Sequence, residues 1–269
     1  MPELPEVETV VNSLQKIPKK TIKSFHTSWH KICYNNKILN LDKSINNKKI
    51  YSIYRKGKNI IFDINDNYLV FQLRMTGYLY HSTQLPSNMK YVRCYFILND
   101  DSYLIFEDIR KFGGFYIYKD INHLNNRIGI DPFEKQFTYK WLQENILKRN
   151  RQIKGLLLDQ NFICGLGNIY IDEILWFSRI HPLRLSSTLS NKEIKQLFLN
   201  IIKILKKSID FHGTTFMNFK FDNMKTGNYK SELEAYGREG KKCQRCLNII
   251  SKIKVSGRGT HLCKACQSF

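Results

Sequence analysis

The sequence predicts an α+β fold: a β-rich N-terminal domain led by one helix, a helical middle and a small metal module at the C-terminus. Three observations carry that reading. From about residue 20 to about residue 120, short alternating or wholly apolar runs are separated by Gly, Asn and Asp. After Asp131-Pro132 the apolar residues recur with a helical period. Four of the seven cysteines stand as two CxxC pairs near the C-terminus.

Residues 2–17 read as the leading helix. Pro5 suits a first turn, and Val7, Val10, Val11 and Leu14 fall on one face. The clearest strands are 49–54, 59–64, 68–73 and 91–98, in the pattern of an antiparallel sandwich or barrel. Helices are expected at 141–147, 152–159, 169–177 and 192–209. Residues 213–235 are polar and glycine-containing, a long loop of the kind kept for function or mobility. The chain therefore divides into 1–132, 133–235 and 236–269.

Of the 269 residues, 42% are apolar, with 17 Phe and 15 Tyr, which excludes global disorder. No apolar run is long enough for a membrane-spanning helix. The acidic start, Met1-Pro2-Glu3-Leu4-Pro5-Glu6, lacks the apolar core of a secretory signal. The net charge of +20 calls for an anionic partner, nucleic acid before membrane. Lysine far outnumbers arginine, which AT-rich coding would also produce, so charge alone does not decide.

Three local patterns carry chemistry. Cys243-x2-Cys246-x16-Cys263-x2-Cys266 places four thiolates for one structural Zn2+ in a reducing compartment. A tail this short has no core of its own, so the metal must supply folding energy of about 10 kcal/mol or more. The intervening hairpin, with Gly257 and Gly259 near its turn, carries Lys252, Lys254 and Arg258, which favours contact with DNA. At the other terminus, removal of Met1 would leave Pro2 as a secondary amine able to attack an electrophilic carbon and form an iminium. Glu3 and Glu6 lie beside it as proton carriers. The ordinary explanation is that Pro and Glu simply suit a helix start. Finally, Gly165-Leu166-Gly167-Asn168 leads into a helix with Asn168 as N-cap, an amide-rich terminus suited to phosphate, with Lys154 nearby in sequence.

Together these segments resemble the formamidopyrimidine-DNA glycosylases over essentially the whole chain. The resemblance rests on Pro2-Glu3-Leu4-Pro5-Glu6-Val7-Glu8-Thr9, on Lys58 after Arg55-Lys56-Gly57, on Leu73-Arg74-Met75-Thr76-Gly77 and on Asp108-Ile109-Arg110-Lys111-Phe112-Gly113. It continues through Gly165–Tyr170, Gly213-Thr214-Thr215, Tyr236-Gly237-Arg238 and the four cysteines, in the family's order. It implies an N-terminal β-sandwich with its helix, a helix–two-turns–helix domain ending in a zinc finger, and DNA held in the cleft between them. It implies a glycosylase and AP lyase for oxidised purines, acting as a monomer on double-stranded DNA in a bacterial cytoplasm. Pro2 would attack the sugar C1′, Glu3 would protonate the opening sugar, and Lys58 would bind phosphate and assist proton transfer. Asn168 and Arg258 would clamp phosphates flanking a flipped nucleotide; Lys154 and Tyr236 belong to the same DNA-binding set. Met75, Arg110 and Phe112 would fill the vacated stack, with Arg110 facing the orphaned cytosine. Taken alone, Met75 and Phe112 read as core side chains, but Phe112-Gly113-Gly114 argues for an exposed turn.

Three features depart from the family's common pattern. Ile109 stands where proline is frequent and His212 where glycine is frequent, and the loop 216–230, which corresponds to the lesion cap, is atypical in composition. None removes a catalytic group. The competing readings are an endonuclease VIII-type enzyme for oxidised pyrimidines, a catalytically inactive damaged-DNA binder, and a zinc-ribbon RNA-binding protein. The last leaves the N-terminus and the glycine turn unexplained.

Overall fold

The structure is a computed structural model that describes residues 1–35, 41–215, 219–222 and 224–269. Phe216, Met217, Asn218 and Asn223 of the expected lesion cap lie outside the described residues. The chain divides into two compact units. The first comprises 1–127 with 211–228, the second 128–210 with 229–269. Residues 211–228, grouped in the sequence reading with the helices, thus belong to the sheet-containing unit.

The first unit opens with helix α1 (Leu4–Ser13), capped by a reciprocal pair in which the Glu3 N–H donates to Glu6 Oε2 at 2.8 Å. A Glu-x-x-Glu capping box is less usual than one led by Ser or Thr, but it satisfies the same orphan donors. Strands β1 (Ile22–Thr27), β2 (Ser52–Lys56), β3 (Asn59–Asp63), β4 (Tyr68–Gln72), β5 (Gly77–Ser82), β6 (Val92–Leu98), β7 (Tyr103–Asp108) and β8 (Gly114–Tyr118) follow, with short helices α2 (Leu41–Ile45) and α3 (Asn122–Asn125). They form two antiparallel four-stranded sheets, ordered β1-β6-β7-β5 and β2-β3-β4-β8. The outcome is a sandwich, not a closed barrel. Its core is aromatic: Phe71 of β4 lies 5.0–6.0 Å, ring to ring, from Phe62, Phe96, Phe106 and Phe115. Helix α1 buries Leu4, Val7, Val10 and Val11 and lies against β2, β3 and β5.

The second unit is built on α4 (Tyr139–Leu147), α5 (Ile153–Leu158), α6 (Asn168–Ser178) and α7 (Asn191–Asp210). Each lies within a few residues of its expected span. α6 is the central helix: Tyr170 through Trp176 are all buried, and it packs against α5, α7 and the C-terminal hairpin. That hairpin pairs β9 (Ser251–Val255) with β10 (Arg258–Leu262). α7 buries Ile194, Leu197, Ile201, Ile204 and Leu205 and turns its lysines outward, the amphipathic pattern its period predicts.

Phe71→Ala removes the ring at the centre of the sandwich, where Phe71 is fully buried. It should lower the stability of this unit by about 3–5 kcal/mol, read as a shift in the urea transition.

Candidate active site

In the first unit the N-terminus is built into the fold. Met1 is exposed, while Pro2 and Glu3 are buried, Glu3 to 4%. Glu6 holds two segments at once: Oε2 takes the Glu3 N–H, and Oε1 takes the Thr214 N–H at 2.6 Å. Gly213 makes that approach possible. Its φ is +79°, and a Cβ there would come within 2.7 Å of Glu6 Oε1. The preceding His212 also adopts a left-handed φ of 61°, the conformation for which glycine is the common choice, and its ring packs 5.3 Å from Phe221. Lys58 stands half-buried on the turn between β2 and β3, with Gly57 at φ 57°. Beside it, Arg55 pairs with Glu8 at 2.6 Å.

Met75, Arg110 and Phe112 converge. Met75 and Phe112 are 44% and 50% exposed, so neither is a core side chain. The Arg110 guanidinium lies 3.1 Å from Met75 Sδ and 4.6 Å from the Phe112 ring centroid. One buried carboxylate shapes this cluster. Asp108 accepts N–H bonds from Arg110 (3.1 Å), Phe112 (2.8 Å) and Gly113 (2.7 Å), and the Thr76 hydroxyl besides. Tyr34 donates its hydroxyl to the Phe112 carbonyl at 2.7 Å. Arg74 and Lys111 take left-handed φ values, and the turn before β5 closes with the Gly77 N–H on the Leu73 carbonyl at 2.9 Å. Ile109, where proline is common in the family, is exposed between these bonded residues.

In the second unit two expectations need correction. Asn168 is not the N-cap of α6; Gly167 holds that position, and Asn168 is the first helical residue. Its side chain reaches outward instead, donating Nδ2–H to the Gly259 carbonyl of β10 at 2.9 Å. Lys154, expected among the DNA contacts, is fully buried and bonded through Nζ to Asp172 Oδ1 at 2.5 Å. An ammonium inside a helical core cannot reach a phosphate, so Lys154 acts within the fold.

Arg258 is exposed at the first position of β10, directly after Ser256 (φ 49°) and Gly257 (φ 73°). Two successive left-handed residues make the primed turn that matches the twist of a two-stranded hairpin. Tyr236 is half-buried, its ring 5.0 Å from that of His261. Its N–H is one of three that Glu173 accepts, from residues 234, 235 and 236 at 2.7–2.9 Å. Burial pushes the Glu173 carboxyl up to about 7, against the opposite pull of those donors.

The four cysteine sulfurs lie within 4.8 Å of one another. Cys243 and Cys266 are 3.9 Å apart, and Cys246 and Cys263 3.4 Å. A tetrahedral ZnS4 centre with bonds of about 2.3 Å requires sulfur separations of about 3.8 Å, so this donor set fits zinc.

The fold thus joins Met75, Arg110 and Phe112 in one exposed cluster and Asn168 with the Arg258 hairpin. The anchoring roles of Asp108, Asp172 and Glu173 were not anticipated from the sequence, although Asp108 opens the motif that carries Arg110 and Phe112, and Asp172 and Glu173 follow the Gly165–Tyr170 motif.

Comparison with known proteins bears on both units. Residues 1–115 match the family model for the formamidopyrimidine-DNA glycosylase N-terminal domain, 128–220 that for the formamidopyrimidine-DNA glycosylase H2TH domain, and 240–268 that for the zinc finger found in FPG and IleRS. The chain is 38% identical over 273 residues to the formamidopyrimidine-DNA glycosylase of Pelotomaculum thermopropionicum, with 99% of each chain covered. It is similar to a Lactococcus lactis FPG mutant in complex with Fapy-dG containing DNA, at a TM-score of 0.92, 37% identity and 100% of each chain. It is likewise similar to MutM in complex with carbocyclic 8-oxo-G containing DNA, at a TM-score of 0.90, 37% identity and 100% of each chain.

Asp108→Ala should release the 110–113 turn while the sandwich stays folded. Hydrogen exchange at the Arg110, Phe112 and Gly113 amides should accelerate, with core-strand amides unchanged.

Proposed function

The chain belongs to the formamidopyrimidine-DNA glycosylase family, and we propose that it excises oxidised purines, 8-oxoguanine and formamidopyrimidines, from double-stranded DNA and then cleaves the strand as an AP lyase. The observation that carries this reading is the exposed Met75–Arg110–Phe112 cluster, two apolar side chains bridged by a guanidinium at a surface with no packing need for them. Extracting a base from the stack costs a few kcal/mol, and side chains that enter the vacated space offset it. A planar guanidinium suits the unpaired edge of the opposite cytosine.

The chemistry follows from the buried N-terminus. Once Met1 is removed, the Pro2 nitrogen attacks C1′, the glycosidic bond breaks and its electron pair leaves with the base. Glu3 protonates the opening sugar as the C1′ iminium forms. The iminium acidifies the neighbouring sugar carbon, and loss of that proton expels the 3′ phosphate; a second elimination releases the 5′ phosphate. Lys58, Asn168 and Arg258 bind the flanking phosphates, and Tyr236 supports the hairpin that carries Arg258. One structural Zn2+ held by Cys243, Cys246, Cys263 and Cys266 fixes the hairpin that carries Arg258. The relatives it matches are bacterial proteins, and the protein acts as a monomer in a bacterial cytoplasm.

Borohydride trapping on an 8-oxoguanine:cytosine duplex should give a covalent adduct at Pro2. A thymine-glycol duplex that traps better would move the assignment to oxidised pyrimidines. A mature protein that retains Met1 by mass would end the Pro2 mechanism. Glu3→Gln should abolish base excision and leave duplex binding within about twofold; full activity would remove Glu3 from the acid/base role. If about six phosphates are engaged, affinity should fall with salt at a log–log slope of about −5, measured by anisotropy. Chelation should release one zinc per chain and expose residues 240–268 to protease, with helical circular dichroism retained.

A further inference from the structure

We propose that Asp172, through its buried contact with the zinc hairpin, is the positioning residue that sets Arg258 for phosphate contact; this rests on the DNA-binding reading above. Asp172 and Lys154 are both fully buried, and their ion pair leaves the second carboxylate oxygen free to act elsewhere. That oxygen, Oδ2, accepts the His261 backbone N–H at 2.8 Å and lies 3.1 Å from His261 Nδ1. His261 belongs to β10, three residues beyond Arg258.

The contact is one rung of a ladder. Asn168 bonds Gly259, Asp172 bonds His261, and Trp176 packs in one apolar cluster with Cys263. The helix advances four residues for each two of the strand. Four helical residues span about 6 Å and two strand residues about 6.8 Å, so the two elements stay in step. Each rung therefore fixes the strand's position along α6, and with it the turn at the hairpin tip. Gly155 of α5 completes the seat: a Cβ there would come within 2.7 Å of Ser256 Oγ, one residue from that turn's glycine. Asp172 is the charged rung, and its N–H bond at a fully buried position is a stronger and more directional tie than apolar packing. Zinc on the four cysteines would hold the chain just past β10, at Cys263. The Asp172 contact holds it two residues closer to Arg258.

The test compares duplex binding, on DNA carrying a tetrahydrofuran abasic analogue, across a series of salt concentrations. Asp172→Leu with Lys154→Met removes both charges together and keeps an apolar core; Asp172→Asn is the milder variant. Each is also combined with Arg258→Ala. Arg258→Ala should weaken binding about tenfold and flatten the salt slope by about one phosphate. The Asp172 variants should retain one zinc per chain and helical circular dichroism, yet show the same slope change. Adding Arg258→Ala to them should weaken binding no further. A role confined to stability would shift denaturation and leave slope and additivity untouched. Losses that add, or an unchanged slope in the Asp172 variants while Arg258→Ala flattens it, would overturn the inference alone. An Arg258→Ala protein that binds as tightly as the parent overturns the DNA-contact reading and the inference with it. A readout on the unaltered protein needs no variant: the His261 amide should exchange as slowly as core amides of α6, and fast exchange there counts against the tie.

Discussion

Buried carboxylates that accept backbone N–H bonds hold the N-terminus, the turn after β7, strand β10 and the segment before the cysteines in place. Glu6 joins the N-terminus to Gly213-Thr214. Asp108 gathers the turn through Arg110, Phe112 and Gly113. Asp172 takes the strand that begins at Arg258, and Glu173 the segment that ends at Tyr236. The physical logic is the same each time. A carboxylate taken out of water is costly unless donors surround it, and N–H groups at a helix start, in a turn or on the outer edge of a two-stranded ribbon have no backbone partner. Each need is met by the other.

That arrangement explains what was legible in the sequence and what was not. The helices were legible because burying one face requires a 3.6-residue period; α4 to α7 fall within a few residues of the periodic runs. Strands β3, β4 and β6 were legible as apolar runs, but their partition into two sheets was not, because pairing between distant strands leaves no local mark. The four-cysteine cluster was legible, since the ligand spacing brings the thiols together. The signs of the charges misled at Lys154: a lysine beside a glycine turn reads as a phosphate ligand until the buried Asp172 is seen eighteen residues later. Asn168 failed as a cap because the helix starts one residue earlier: Gly167 takes the extended cap conformation, and the Asn168 Nδ2 donates to the Gly259 carbonyl, remote in sequence. Residues 211–228 read as an appendage of the helical region because they follow α7, yet Phe219 and Phe221 are buried with the sandwich core.

The second unit shows how a segment too small to fold alone is made rigid. The metal ligands gather one end of the hairpin, the primed turn at Ser256-Gly257 sets its twist, and α6 fixes its register. None of the three suffices alone. The cysteine cluster without the helix would leave the hairpin tip free to pivot about Cys263, and the helix without a metal on the cysteines would have only a two-stranded ribbon to hold.

The Met75–Arg110–Phe112 cluster has a consequence for the entropy of recognition. A long, exposed side chain ordinarily gives up its rotamer freedom when it meets a partner, at a cost of about 0.5–1.5 kcal/mol each. Here the guanidinium already rests against the thioether and the aromatic ring, and the backbone beneath it is tied to Asp108. That loss of freedom is incurred when the chain folds, once, rather than at every encounter. In the role proposed for this cluster, a protein that must test many sites before finding a rare one would gain from this most in speed, because each trial would begin with the probe already in shape.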